Sequence, residues 1–320
     1  MFILVCFGCQ QDESQPSQDV IDGIAETPAP RHAVAEVYET TMPANDDPVD
    51  VYYPAEESTD NATSLFPIAL LLQGAYCDKS LYSEFARTVA GYGFIVVVPN
   101  HWRAFEIYGV PMEGLLAEGQ QLYDVLDFMV AENSNVASQL YGRVDTTRLV
   151  MLGHSFGSAN VMMAIQDKCP PPFCPEGTSF TRPQELMAVA LSGIKSPVYG
   201  WLLTRNQGLP LAIVNGELDS NATYDETLTT YQRIKDPPRA VVLVKGANHY
   251  GLCNVNNPAG PSPDEHIPTL AQEVSIETSA RWSALFLRAH ALDDQEAWDY
   301  IYKNGAYLDS NVEVLSDPGN

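Results

Sequence analysis

The sequence predicts an α/β fold, with a mostly parallel central sheet, helices on both faces and an antiparallel N-terminal edge. Three observations carry this. Several short, continuous apolar runs end in Gly or Pro, as strands buried on both faces do. Stretches with apolar residues at helical spacing separate them. Near the N-terminus, two segments instead half-alternate β-branched or aromatic with polar residues.

In chain order, AVAEVYET (33–40) and VDVYYPA (49–55) are the expected antiparallel edge pair. PIALLLQG (67–74) is a buried parallel strand, and KSLYSEFARTVAGYG (79–93) a helix that ends at its glycines. FIVVVPN (94–100) is the next strand, and MEGLLAEGQQLYDVLDFMVAE (112–132) a long amphipathic helix. RLVMLGHS (148–155) is a strand running directly into the helix SANVMMAIQDK (158–168). A Pro- and Cys-rich insertion spans 168–183. Three further strands follow, in LMAVALSG (186–193), PLAIVNGELD (210–219) and AVVLVKGANH (240–249), with the helix YDETLTTYQRI (224–234) between the last two. SIETSARWSALFLRAHAL (275–292) is a C-terminal helix and DQEAWDYIYKN (294–304) a shorter one. The alternation of strands and helices places residues 33–320 in a single domain.

The first 32 residues differ in character. Residues 1–9 form a short apolar segment closing on Cys9, which resembles a bacterial lipoprotein signal with Cys9 as the lipidated residue and hence a membrane attachment point. No Lys or Arg precedes the apolar run, and an ordinary secretory signal is the alternative. Residues 10–32 are rich in Gln, Ser, Pro and Asp and are expected to form a flexible tether. Either signal implies an extracytoplasmic protein, either secreted or held at the cell envelope. Export favours disulfides. Cys169 and Cys174 flank a PPPF turn and are paired on that ground, which leaves Cys77 with Cys253.

Charge excludes some partners. The 320 residues carry 17 Lys and Arg against 41 Asp and Glu, a net charge of −24, a field that repels nucleic acid. No His, Cys or carboxylate cluster has metal-ligand spacing and no Gly-rich phosphate loop is present, so neither metal nor cofactor is expected.

The chemistry is concentrated in Gly153-His154-Ser155-Phe156-Gly157. An apolar strand precedes this G-x-S-x-G and small, helix-forming residues follow it. That is the context of a nucleophile placed in a tight strand-to-helix turn. A nucleophilic Ser155 needs an acid and a histidine later in the chain. His249 lies just past a strand with Gly251 nearby. His154 is inside the turn, and His101 precedes Ser155. Asp219 is the expected acid, with Glu217 as the alternative at the end of the same strand. Two backbone N–H donors would hold the oxyanion. They are Phe156, after the nucleophile, and Ala75, after Gly74. Tyr76, Trp102 and Phe105 are candidates for a substrate-binding wall, Tyr76 and the Trp102–Tyr108 aromatics equally for packing.

The oxyanion loop from Gly74, the Gly93-Phe94 pair before a Val-rich strand, GHSFG, NGELD and GANH together resemble the α/β-hydrolases grouped around chlorophyllases, cutinase-like polyester hydrolases and platelet-activating-factor acetylhydrolases. The resemblance covers roughly residues 35–290. It implies the α/β-hydrolase fold, a Ser155–Asp219–His249 triad and cleavage of a small or lipid-like carboxylic ester through an acyl-enzyme. Gln73 stands where many relatives have His or Pro, and Ser158 where many have Gly. The same triad could cut lactones or amides, and the scaffold could have decayed to a lipid-anchored binding protein.

Overall fold

The apolar runs assemble into one nine-stranded sheet, and the computed structural model describes residues 26–33, 35–55, 65–107, 109–195 and 204–319 of the chain. The strands are β1 (Ala35–Thr41), β2 (Pro48–Pro54), β3 (Phe66–Leu72), β4 (Ile95–Pro99), β5 (Trp102–Ile107), β6 (Val110–Leu115), β7 (Val144–His154), β8 (Leu186–Ser192), β9 (Leu211–Gly216), β10 (Arg239–Val244) and β11 (Val312–Asp317). The sheet order is β1-β2-β4-β3-β7-β8-β9-β10-β11. Pairing is parallel from β4 to β10, and antiparallel at β1–β2, β2–β4 and β10–β11. This is the α/β-hydrolase fold.

Helices cover both faces: α1 (Ser83–Gly91), α2 (Gln121–Ser134), α3 (Phe156–Ala164), α4 (Tyr224–Arg233), α5 (Gln272–Ala291), α6 (Gln295–Asp299) and α7 (Gly305–Leu308). Side chains alternate across each strand. Ala69 and Leu71 of β3 therefore pack with Phe85 and Val89 of α1 and with Trp282 and Phe286 of α5. Ile68, Leu70 and Leu72 pack on the other side with Val125 and Met129 of α2 and Val161 of α3. Both faces of β3 are buried along its whole length, which is why its sequence reads as an unbroken apolar run.

The structure departs from the sequence expectation in four places. Residues 112–115 are not helical, because they form β6, which pairs with β5 in a separate two-stranded hairpin. Exposed and half-buried residues alternate from Trp102 to Glu106, and Gly109 turns the hairpin at a φ of 80°. The helix begins only at Gln121, beyond two glycines that weaken helical propensity, and the Gln121 side chain accepts the Glu118 N–H at 2.9 Å. Strand β11, at the far edge, was not anticipated. Its residues are mostly exposed or half-buried and lack a strong apolar run.

The end of the expected tether is docked. His32 donates its N–H to the Gly91 carbonyl at 3.0 Å, and Arg31 pairs with Asp294 at 2.6 Å. Finally, Cys77 and Cys253 are separate buried thiols rather than a disulfide. Burial pushes the pKa of the Cys77 thiol up to about 11. Cys169 and Cys174 are bonded. The signal-like segment 1–9, the tether before residue 26 and Tyr108 lie outside the described residues.

A buried ionic chain anchors the hairpin. His101 Nδ1 sits 2.6 Å from Asp47 Oδ2, and its Nε2 is 3.3 Å from Glu118 Oε1. Arg103 donates to the other Glu118 oxygen at 2.7 Å. Burial alone would lower the His101 pKa, but the hydrogen bonds and charges of Asp47 and Glu118 outweigh it and raise it to about 9. Because the folded value lies above the ordinary 6.5, the native state holds the extra proton. Stability from this group is complete below pH 6.5 and declines as the pH rises through 9. His290 acts in the opposite sense. Burial lowers it to about 4, so its contribution declines as the pH falls below 6.5. Thermal unfolding followed across pH should therefore show an alkaline decline that His101→Gln flattens, with the acid limb left in place. An unchanged alkaline limb in that variant would contradict the assignment.

Candidate active site

Each candidate side chain emerges from the C-terminal end of a parallel strand. β7 ends at His154 and α3 begins at Phe156, leaving Ser155 alone in the turn at φ 51° and ψ −114°. For a non-glycine residue this is a sparsely populated backbone conformation, costing about 1–3 kcal/mol. The flanking glycines make it feasible. A Cβ on Gly153 would come within 2.8 Å of the Ser158 Cα, and one on Gly157 within 2.1 Å of the Leu72 carbonyl oxygen. Both obstacles are backbone that cannot swing away, so a side chain at either position would push α3 off the sheet. The end of β8 pins the turn further. The Ser192 carbonyl accepts from Ser155 N–H at 2.9 Å and from Ser158 Oγ at 2.7 Å.

The acid and the histidine meet across the loops after β9 and β10. Asp219 Oδ2 lies 2.8 Å from His249 Nδ1, and both residues are buried. The other carboxylate oxygen of Asp219 accepts the N–H groups of Asn221 at 2.8 Å and Ala222 at 2.7 Å. The carboxylate is thus fixed from both sides. Glu217 points elsewhere, accepting the Gly246 N–H at 2.9 Å. The imidazole of His249 lies beside the turn. A Cβ placed on Gly193 would be 2.6 Å from His249 Cε1 and 3.3 Å from the Ser155 nitrogen. Among the described residues, no hydrogen bond of 3.5 Å or less is formed by Ser155 Oγ. Such bonds commonly tighten only once a substrate is bound.

The loop after β3 abuts the nucleophile, with the ideal Cβ position of Gly74 only 3.3 Å from Ser155 Cβ. Its amides are mostly engaged. Gly74 N–H donates to Tyr82 Oη at 2.9 Å, Tyr76 N–H to Leu115 O at 2.7 Å and Cys77 N–H to Gly74 O at 3.1 Å. Ala75 N–H has no acceptor among the described residues. Nor does Phe156 N–H, which as the first helical amide lies beyond the reach of the α3 ladder. Both candidate oxyanion donors are therefore uncommitted amides.

Of the wall candidates, Tyr76 packs against the hairpin, where a Cβ on Gly114 would touch its ring at 2.9 Å. Trp102 is largely exposed at the start of β5. Phe105 lines a cavity of about 310 Å³ between the hairpin and the disulfide loop, together with Arg103, Glu118, Pro171, Cys174 and Glu176. Phe173, between the two cysteines, meets the Phe156 ring at a centroid distance of 5.4 Å. The insertion thus reaches the residue that follows the nucleophile.

Sequence reasoning passed over His154 and Tyr82. Both are fully buried, and burial, followed by the nearby His249, holds the His154 pKa well below its ordinary value. One set of protons satisfies the whole chain. Gly74 N–H donates to Tyr82 Oη, the Tyr82 O–H donates to His154 Nδ1 at 3.0 Å, and His154 Nε2–H donates to the His249 carbonyl at 2.9 Å. The oxyanion loop, the turn and the histidine loop are thereby tied together. Position x of G-x-S-x-G, next to the nucleophile, was the available signal for His154. Nothing local marks Tyr82. Tyr82→Phe would leave the Gly74 N–H and His154 Nδ1 without partners, and urea unfolding should show a loss of about 1–3 kcal/mol. A loss under about 0.5 kcal/mol would mean that the chain contributes little.

Among the described residues no group of three or more His, Cys, Asp or Glu could hold a metal ion, and no helix is long and apolar enough to cross a membrane. Residues 31–170, from the docked N-terminal segment through the turn and α3, match the family described as PETase, PET hydrolase-like. A curated relative, the cutinase est2 of Thermobifida alba, is 23% identical over 212 residues, covering 65% of this chain. The match spans 58% of that relative's own length. The chain has the α/β-hydrolase fold, and its resemblance is to PET hydrolase-like proteins and a cutinase.

Proposed function

We propose that this protein is a serine hydrolase that cleaves carboxylic esters through an acyl-enzyme on Ser155. The observation that carries this reading is the buried Asp219 Oδ2–His249 Nδ1 contact of 2.8 Å, set beside a serine held in a strained strand-to-helix turn. His249 Nε2 takes the Ser155 proton as Oγ attacks the carbonyl carbon. The C=O electron pair moves onto oxygen, where the N–H groups of Ala75 and Phe156 receive it. The intermediate collapses by expelling the alcohol, which collects the proton from His249. A water molecule, deprotonated by the same imidazole, then attacks the acyl carbon. The acid leaves and Ser155 regains its proton. Asp219 holds the imidazole in the tautomer with Nδ1–H and stabilises the transient imidazolium.

The ester class draws support from the names of the matching family and relative, a PET hydrolase-like group and a cutinase. The cavity beside Phe105 would accept part of the substrate, either its acyl or its alcohol portion. The Cys169–Cys174 bond favours an extracytoplasmic setting. The proposal retains attachment through a lipidated Cys9, which lies outside the described residues.

Hydrolysis of p-nitrophenyl esters of rising acyl length, with Ser155→Ala alongside, tests the reading. The expected outcome is wild-type turnover reduced at least about a thousandfold in the variant. Equal rates in the two proteins, or no turnover on any ester, would overturn it.

A further inference from the structure

A carboxylate outside the proposed triad connects the two loops on which the triad depends. Asp264 lies in the long loop between His249 and α5, only 5% exposed. Its Oδ2 accepts two backbone N–H groups from different parts of the chain. One is that of His249 at 2.8 Å, and the other that of Ser220, the residue after Asp219, at 3.1 Å. Its Oδ1 accepts the His266 N–H at 2.7 Å. A single oxygen atom thus spans the acid loop and the base loop at the residues that carry the side chains.

The carboxylate is itself fixed. The Asn257 amide grips the Asp264 backbone from both sides, accepting its N–H at 2.7 Å and donating to its carbonyl at 3.0 Å. The neighbours of Asp264 reinforce the connection. Glu265 N–H donates to Ser220 Oγ at 3.0 Å, and His266 Nδ1 is 2.8 Å from the Leu218 carbonyl. Asn248 Nδ2 donates to the His266 carbonyl at 2.9 Å. Burial opposes ionisation of Asp264, yet the N–H donors of His266, His249 and Ser220 prevail and hold its carboxyl below the usual range. Three N–H groups converge on the two oxygens, and an ionised carboxylate accepts all of them with no O–H of its own in need of a partner.

We infer that Asp264 is a positioning residue, whose carboxylate sets the separation of Asp219 and His249 by bonding the backbone beside each. The inference rests on the triad reading above. Asparagine at this position keeps the shape but turns an N–H₂ toward N–H donors, so at least one bond becomes a repulsion. A small displacement between acid and base is costly because proton transfer depends steeply on geometry.

The test compares Asp264→Asn with wild type in two measurements. Kinetics on p-nitrophenyl butyrate should show kcat reduced about ten- to a hundredfold with KM within about twofold. Proton NMR should show the low-field resonance of the His249 Nδ1–H bonded to Asp219, identified by its loss in Asp219→Asn, shifted upfield or broadened in Asp264→Asn. A folded variant with unchanged kcat and an unchanged resonance would overturn the inference. If Asp264→Asn does not fold, Asn257→Ala takes its place, since it frees the Asp264 backbone and leaves the carboxylate. It should show the same pattern to a lesser degree, and wild-type values for both readouts would overturn the inference. A wild-type protein without esterase activity would refute the ester reading only, because the resonance reports the Asp219–His249 geometry with or without turnover.

Discussion

The carbonyl oxygen of Leu72 lies so close to Gly157 that no side chain could stand between them, and the arrangement of the site depends on that approach. It lets α3 begin one residue after β7 ends, which forces Ser155 into a backbone conformation with positive φ. The strain persists because packing on both sides over-determines it. β7 is hydrogen-bonded to β3 and β8, and α3 is buried along nearly its whole length. The same geometry presents the Ser155 side chain at the sheet edge and leaves the Phe156 amide uncommitted.

Parallel strands then bring the remaining groups to the same edge, since every strand from β3 to β10 ends there except β5 and β6, which leave the sheet as a hairpin. Loops alone would hold these groups loosely. Here they are cross-tied by buried polar side chains. Tyr82 and His154 connect the β3 loop, the turn and the β10 loop, while Asp264 connects the β9 and β10 loops. Buried polar chains of this kind stabilise only when every member is satisfied. That makes them sensitive points of the structure and also its means of precision.

Legibility in the sequence followed burial and locality. The strands β3, β4, β8, β9 and β10 and the second half of β7 were readable from their apolar runs, whereas the four polar residues 145–148 hid the start of β7. Ser155, Asp219 and His249, the proposed triad, were picked out because each follows such a run in a fixed chain order. The hairpin β5–β6 was not, as glycines and mixed polarity between residues 102 and 120 disguise its pairing, and apolar residues at 112, 115 and 116 mimic a helical start. Edge strand β11 lacks a hydrophobic signal for the same reason that it is exposed. Cys77 and Cys253 follow the right segments and are both buried, yet the two thiols are not bonded, and pairing by elimination could not show that. Tyr82, His154 and Asp264 act through partners 8 to 95 residues away, and no local spacing announces such contacts.

The central claim is that Ser155 is an activated nucleophile driven by His249. A fluorophosphonate probe followed by peptide mass spectrometry tests it most directly, because the adduct reports the reacting atom without any assumption about the natural ester. The account predicts a single adduct on the peptide containing Ser155, formed at a rate that collapses in His249→Ala. An adduct on another residue, or labelling of Ser155 that is indifferent to His249, would contradict it.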